Sequence, residues 1–138
     1  MSDDKKLAQL RVDIDALDNQ LIRLISTRAR LAQNVAEVKN ASREPTIYYR
    51  PEREAQILKK VIEQNKGPLS EEEMARLFRE IMSACLALEQ RLDIAYLGPK
   101  GTFTQSAALK HFGNSVKTNA FTTIDQVFRE VESGASHY

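Results

Sequence analysis

Arg28 and Lys39 stand in "LIRLISTRARLAQNVAEVK", where an apolar side chain otherwise returns every three or four positions. Eleven residues separate them, about three helical turns with ~20° left over, so on a helix both cations leave the same face. Arg53 precedes Ile57 by four and Glu54 precedes Leu58 by four, which sets both at the border of a second apolar stripe. On a third stripe Glu89 follows Cys85 by four. Ionisable groups sunk among apolar ones are costly unless they pair with each other or enclose a charged ligand. Cations outnumber acids in this set, so the ligand they call for is a small anion. Residues 1–92 hold no His paired with Ser or Cys, no Gly-rich phosphate loop and no cluster of metal ligands. The chemistry predicted is therefore that of an anion held in shape, with no nucleophile, cofactor or metal.

Arg11 extends the set in another way. It lies seventeen residues before Arg28, on the order of 25 Å along the axis and about 100° around it. Two arms on one straight helix cannot close that gap around a small molecule. Arg11 is thus expected to serve a site built mainly by another protomer, whose first helix runs antiparallel. Taken singly, a seam arginine is more often a device for helix register or oligomer state than a ligand clamp, and Arg11 or Arg53 reads as an ordinary exposed residue. Charges on three stripes at once favour a site. Cys85 reads as a small core residue, His111 and His137 as solvated, and Tyr48 and Tyr49 as caps of their loop.

The elements that must position these groups follow from periodicity. Leu7, Leu10, Ile14, Leu17, Leu21, Leu24, Leu31, Val35 and Val38 alternate spacings of three and four, with Arg28 taking one turn of the seam. No Gly or Pro interrupts residues 5–44, which predicts one amphipathic helix on the order of 50 Å long. Such length suggests a partner chain. Pro45 ends the pattern, and Pro51 reopens it in the first turn of a second helix that buries Glu54, Leu58, Val61 and Ile62. "NKGPLSEEE" supplies a stop, a turn and a capping box of Ser70 with Glu73. The third helix carries Met74, Leu77, Phe78, Ile81, Cys85 and Leu88.

At Asp93 the pattern changes. "IAYLG" reads as a strand, "TQSAALKHFG" as a helix stopped by Gly113, "VKTNAF" as a second strand, and "TIDQVFREVESG" as a helix stopped by Gly134. The fold class is all-α for residues 1–92, with three helices, and a short β-α-β-α piece of an α/β domain over 93–138. Two strands alone are expected to leave apolar faces and sheet edges uncovered.

The 138 residues fit one compact domain, or one domain with a piece of a second. Twenty Lys and Arg against nineteen Asp and Glu leave a net charge of +1, which gives no global attraction to nucleic acid or to a membrane. One cysteine excludes an intrachain disulfide. The charged start "MSDDKKLAQLRVD" lacks the pattern of a signal peptide, and a cytoplasmic protein is expected.

Four segments together carry a family resemblance: Arg11 in "LRVDIDALDNQLIRLI", Arg28 and Lys39 in "STRARLAQNVAEVK", "YRPEREAQIL", and "LFREIMSACLALEQ". Residues 5–92 resemble the all-helical class of chorismate mutase in both order and spacing. "IAYLGPKGTFTQSAALKHFG" resembles the opening of a prephenate dehydratase domain. The pair in this order resembles the bifunctional chorismate mutase/prephenate dehydratases of phenylalanine biosynthesis, part of aromatic amino acid biosynthesis.

The resemblance implies chorismate as substrate, no cofactor, and an intertwined homodimer in which each site takes Arg11 from the other chain. By position, Arg11 of the partner and Arg28 would hold the two substrate carboxylates, and Lys39 would reach the ether oxygen. Arg53 would add positive potential, and Glu54 would accept from the ring hydroxyl. Glu89 stands where many relatives carry Gln, beside the ether oxygen. Cys85 stands where they carry a small hydroxyl residue, so its substrate contact differs in kind. The resemblance to a dehydratase covers only its first 46 residues or so, and no dehydratase activity is expected of this chain. Two other functions fit parts of the pattern: isochorismate pyruvate-lyase on the same helical fold, and a helical dimerisation module without catalysis.

Overall fold

The computed structural model describes residues 2–42 and 48–138. Among these residues five helices and a two-stranded sheet follow in the order α1 (Asp3–Asn40), α2 (Pro51–Gln64), α3 (Glu71–Glu89), β1 (Asp93–Leu97), α4 (Phe103–Phe112), β2 (Lys117–Phe121) and α5 (Ile124–Glu132). The helical first part and the β-α-β-α second part agree with the periodicity. Pro45, the expected end of the first helical pattern, lies outside the described residues.

α1 is one unbroken helix of 38 residues. Ser2 caps it by accepting from the Lys5 N–H at 3.4 Å, and Asp3 and Asp4 in its first turn and Lys39 in its last complement the helix dipole. Its apolar seam is uncovered within one chain. Every residue from 2 to 25 is exposed, and Leu10, Leu17 and Leu24 are each more than half accessible. Only Ala36 is buried along the whole helix.

α3 packs against both α1 and α2. Ser70 accepts from the Glu73 N–H at 3.1 Å, as the capping box requires, but the Glu73 carboxylate accepts from Arg76 instead of closing the box. Two of the side chains expected in its apolar stripe, Leu77 and Leu88, are exposed, while Met82, Ser83 and Cys85 are buried. The contact face is rotated toward α1 and α2, which approach from different sides. On α2 the residues expected to be buried, Glu54, Leu58, Val61 and Ile62, are all half-buried.

β1 and β2 pair in parallel, with Asp93 opposite Lys117 and Leu97 opposite Phe121. The faces and edges expected to stand open are partly covered. Ile94 and Tyr96 of β1 are each 3% exposed. The second edge of β1 is taken by the end of the chain, where Ala95 N–H donates to the Tyr138 carbonyl at 2.7 Å and His137 N–H to the Asp93 carbonyl at 2.8 Å. His137 is exposed, as expected, and also accepts at Nδ1 from the Asp93 N–H at 2.9 Å. The main core is Tyr49, Leu92, Ile94 and Val116, flanked by Leu86 of α3 and Phe112 of α4. Tyr49 is not the loop cap that its position suggests; it bridges the two parts, with its ring 5.7 Å from Phe112 and 5.3 Å from Tyr138.

Gly113 makes the tightest approach between those parts. Its N–H donates to the Leu109 carbonyl and its φ of 80° ends α4. A Cβ there would stand 2.3 Å from the Ser83 Cβ on α3. Asn114 then donates twice to the Glu80 carboxylate, at 3.1 and 2.7 Å. Gly113→Ala combines a left-handed φ with overpacking against Ser83, so denaturant unfolding should show a loss of about 2–3 kcal/mol. Unchanged stability would mean that α4 does not rest on α3.

Candidate active site

The last three turns of α1, the start of α2 and the C-terminal half of α3 line an open cavity of about 360 Å³. That is the size of a site for a small molecule. α1 contributes Arg28, Leu31, Ala32, Val35 and Lys39, a face generated by steps of three and four. α2 contributes Arg53, Glu54 and Ile57 from its first two turns. α3 contributes Met82, Cys85, Leu86 and Glu89. Six of the seven residues singled out in the sequence therefore line one cavity. Arg11 does not: it is exposed, seventeen residues away on the same unbroken helix.

Electrostatics divides the walls. Arg28 and Lys39 leave α1, Arg53 leaves α2, and the two carboxylates face them from α2 and α3. Lys39 Nζ lies 5.5 Å from the centre of the Tyr48 ring, within cation–π range, and the Tyr48 hydroxyl donates to Asn40 Oδ1. Burial pushes the Glu89 carboxyl above the usual glutamate range, while the Lys39 ammonium pulls in the opposite direction. Glu54 is raised by burial and drawn back by Arg79, then by His111. The Tyr49 phenol is pushed up to about 12, first by burial and then by the Glu54 charge and Tyr138.

Sequence reading missed Arg79, whose Nε lies 4.0 Å from Glu54 Oε1. A signal for it exists, since Ala75, Arg79, Met82, Leu86 and Glu89 form a second series of fours and threes beside the stripe chosen. It also missed Tyr48, Tyr49 and Arg50 as part of the cavity wall. They leave an irregular segment, where no period marks the inward side chain.

Comparison with known proteins bears on this geometry. A family model described as chorismate mutase type II matches residues 10–90, and one described as prephenate dehydratase matches residues 94–138. This chain belongs to the chorismate mutase type II family. Its mutase domain is followed by the start of a prephenate dehydratase domain. The bifunctional chorismate mutase/prephenate dehydratase of Stutzerimonas stutzeri is 61% identical over 141 aligned positions, covering 100% of this chain and 39% of the relative. That of Pseudomonas aeruginosa is 59% identical with the same coverage, and that of Escherichia coli is 30% identical, with 40% of it covered. The chain thus spans about two fifths of the length of these relatives. Two solved forms of chorismate mutase from Thermus thermophilus share the fold. Form II is 34% identical with a TM-score of 0.58, over 62% of this chain and 96% of that one. Form I is 31% identical with a TM-score of 0.54, over 58% and 98%. Among the described residues, no helix is long and apolar enough to cross a membrane.

Proposed function

We propose that this chain rearranges chorismate to prephenate, within aromatic amino acid biosynthesis, and that residues 1–92 carry the reaction in the cytoplasm. The observation that supports it most is the single cavity into which three helices send Arg28, Lys39, Arg53, Glu54 and Glu89. Membership of the chorismate mutase type II family supplies the substrate.

The chemistry accounts for these residue types. Chorismate carries two carboxylates and rearranges without acid, base or nucleophile, but only from a compact chair-like conformer. As its C–O bond breaks, the ether oxygen gains negative charge. In the proposed site Arg28 grips one carboxylate with its planar fork, fixing the conformer, and Arg53 adds positive potential. Lys39 and Glu89 flank the ether oxygen, so that donors already in place meet the charge as it develops. Glu54 accepts from the ring hydroxyl, and Cys85 lines the wall beside Glu89. A second copy of the chain completes the site: its Arg11 takes the other carboxylate, and the exposed seam of α1 from Leu7 to Leu24 is the surface that the partner helix covers.

The direct experiment is to add chorismate, follow its absorbance and identify the product. Prephenate is expected; pyruvate from isochorismate, or no change, would overturn the assignment. Lys39→Ala should lower the rate by roughly a hundred-fold or more, about 3 kcal/mol for one donor to a developing oxyanion, with helicity unchanged. Near-normal turnover would remove Lys39 from the mechanism.

Glu89 gives the reaction a pH dependence whose sign follows from its environment. A carboxylate only accepts hydrogen bonds, whereas the carboxylic acid donates. A carboxyl raised above its usual range keeps its proton to higher pH. The rate should therefore be greatest on the acidic side and fall as pH rises through the raised Glu89 value. Glu89→Gln donates at every pH and should flatten that fall. Identical profiles for the two proteins would exclude Glu89 as the donor.

A further inference from the structure

Behind the cavity wall, α2 and α3 meet at an ion pair. Arg79 Nε lies 4.0 Å from Glu54 Oε1, with the two side chains 29% and 20% exposed. The Nε atom itself is buried and has no hydrogen-bond partner among the described residues. At that separation the Nε–H and the carboxylate attract without a closed hydrogen bond, so a small movement of Glu54 completes the contact. Glu54 lines the cavity, whereas Arg79 lines a separate cleft between α3 and α4. Arg79 therefore stands behind the carboxylate, on the side away from the substrate.

We propose that Arg79 is a positioning residue: its guanidinium fixes one oxygen of Glu54, so that the other is held toward the cavity to accept from the ring hydroxyl of chorismate. The inference rests on the function proposed above and adds to it the group that orients its hydroxyl acceptor. The charged and titratable groups around Glu54 come from every neighbouring element. Arg79 and Glu89 face it from α3, His111 from α4, Tyr49 and Arg50 from the segment before α2, and Arg28 and Lys39 across the cavity from α1. Burial drives the Glu54 carboxyl toward its neutral form, and Arg79 is the strongest influence in the other direction. With Arg79 gone, Glu54 both turns freely and takes up a proton more readily. A neutral acid loses the charge-assisted hydrogen bond to the hydroxyl. That contact exists in the bound substrate and in the transition state alike, so its loss falls on KM more than on kcat.

The test uses the full chain with Arg79→Ala, Arg79→Lys and Glu54→Gln, each checked for helicity. Two readouts are taken: the titration of the Glu54 carboxyl by carbon NMR, and kcat and KM for chorismate across pH. Arg79→Ala should raise the Glu54 midpoint and raise KM about ten-fold at neutral pH, the scale of one charge-assisted hydrogen bond, with a further rise toward acid and little change in kcat. Arg79→Lys should recover most of both effects. In a Glu54→Gln background, Arg79→Ala should add almost nothing. If Arg79→Ala does not fold, Arg79→Gln carries the same expectations. An unmoved Glu54 midpoint beside normal wild-type turnover overturns the inference alone, as does a variant that melts earlier with its KM profile unchanged. A wild-type chain that leaves chorismate untouched overturns the proposed function, and the substrate role of Arg79 with it.

Discussion

An unbroken helix of 38 residues is longer than its own chain can cover, and the rest of the structure depends on that constraint. At ~1.5 Å per residue α1 runs about 57 Å, whereas α2 and α3 run about 21 and 28 Å. α3, to which α2 packs in turn, therefore shelters only the C-terminal part of α1, from about Ser26 onward, where partial burial begins. The apolar seam stays uncovered through Leu7, Leu10, Ile14 and Leu17, and Leu31 and Val38 are exposed as well. Exposed apolar surface of that extent marks an interaction surface. It also separates Arg11 from Arg28 by a distance that no side-chain movement can close.

Within the sheltered part, the helices divide the work of the cavity. α1 supplies cations from positions on one face, because Arg28, Leu31, Val35 and Lys39 repeat every three or four residues. α2 and α3 supply the carboxylates, Glu54 and Glu89, and burial raises the pKa of both while neighbouring cations oppose it. The second part of the chain meets the mutase domain behind this wall, through the packing of Tyr49 on Phe112 and Tyr138 and the seat of Gly113 on Ser83. It buttresses the segment from which Tyr48, Tyr49 and Arg50 enter the cavity.

Much of this was legible in the sequence because helical period is a strong signal over long runs. It marked α1, the Pro51 start of α2, the Ser70 cap of α3, and the stops at Gly113 and Gly134. It also grouped Arg28, Lys39, Arg53, Glu54, Cys85 and Glu89, since each is a charge or small residue on or beside an apolar stripe. What escaped depends on contact between elements. Leu77 and Leu88 fit the α3 period but face outward, because α3 has two neighbours and its buried face lies between two possible stripes. Tyr49 and His137 find partners far away in the chain, which no local pattern reveals. Arg79 sat on the second stripe, and only the approach of α2 brings it to Glu54.

The central claim is that each site is completed by a second copy through Arg11, and mixing inactive subunits tests it most directly. Arg11→Ala and Arg28→Ala chains are each made, mixed in equal amounts, and allowed to exchange, with exchange verified by a mass label. A heterodimer of the two would hold one site intact in both arginines and one lacking both. Random pairing makes half of the dimers mixed, so activity should return to about a quarter of wild type. Verified heterodimers with no activity above either parent would contradict the account.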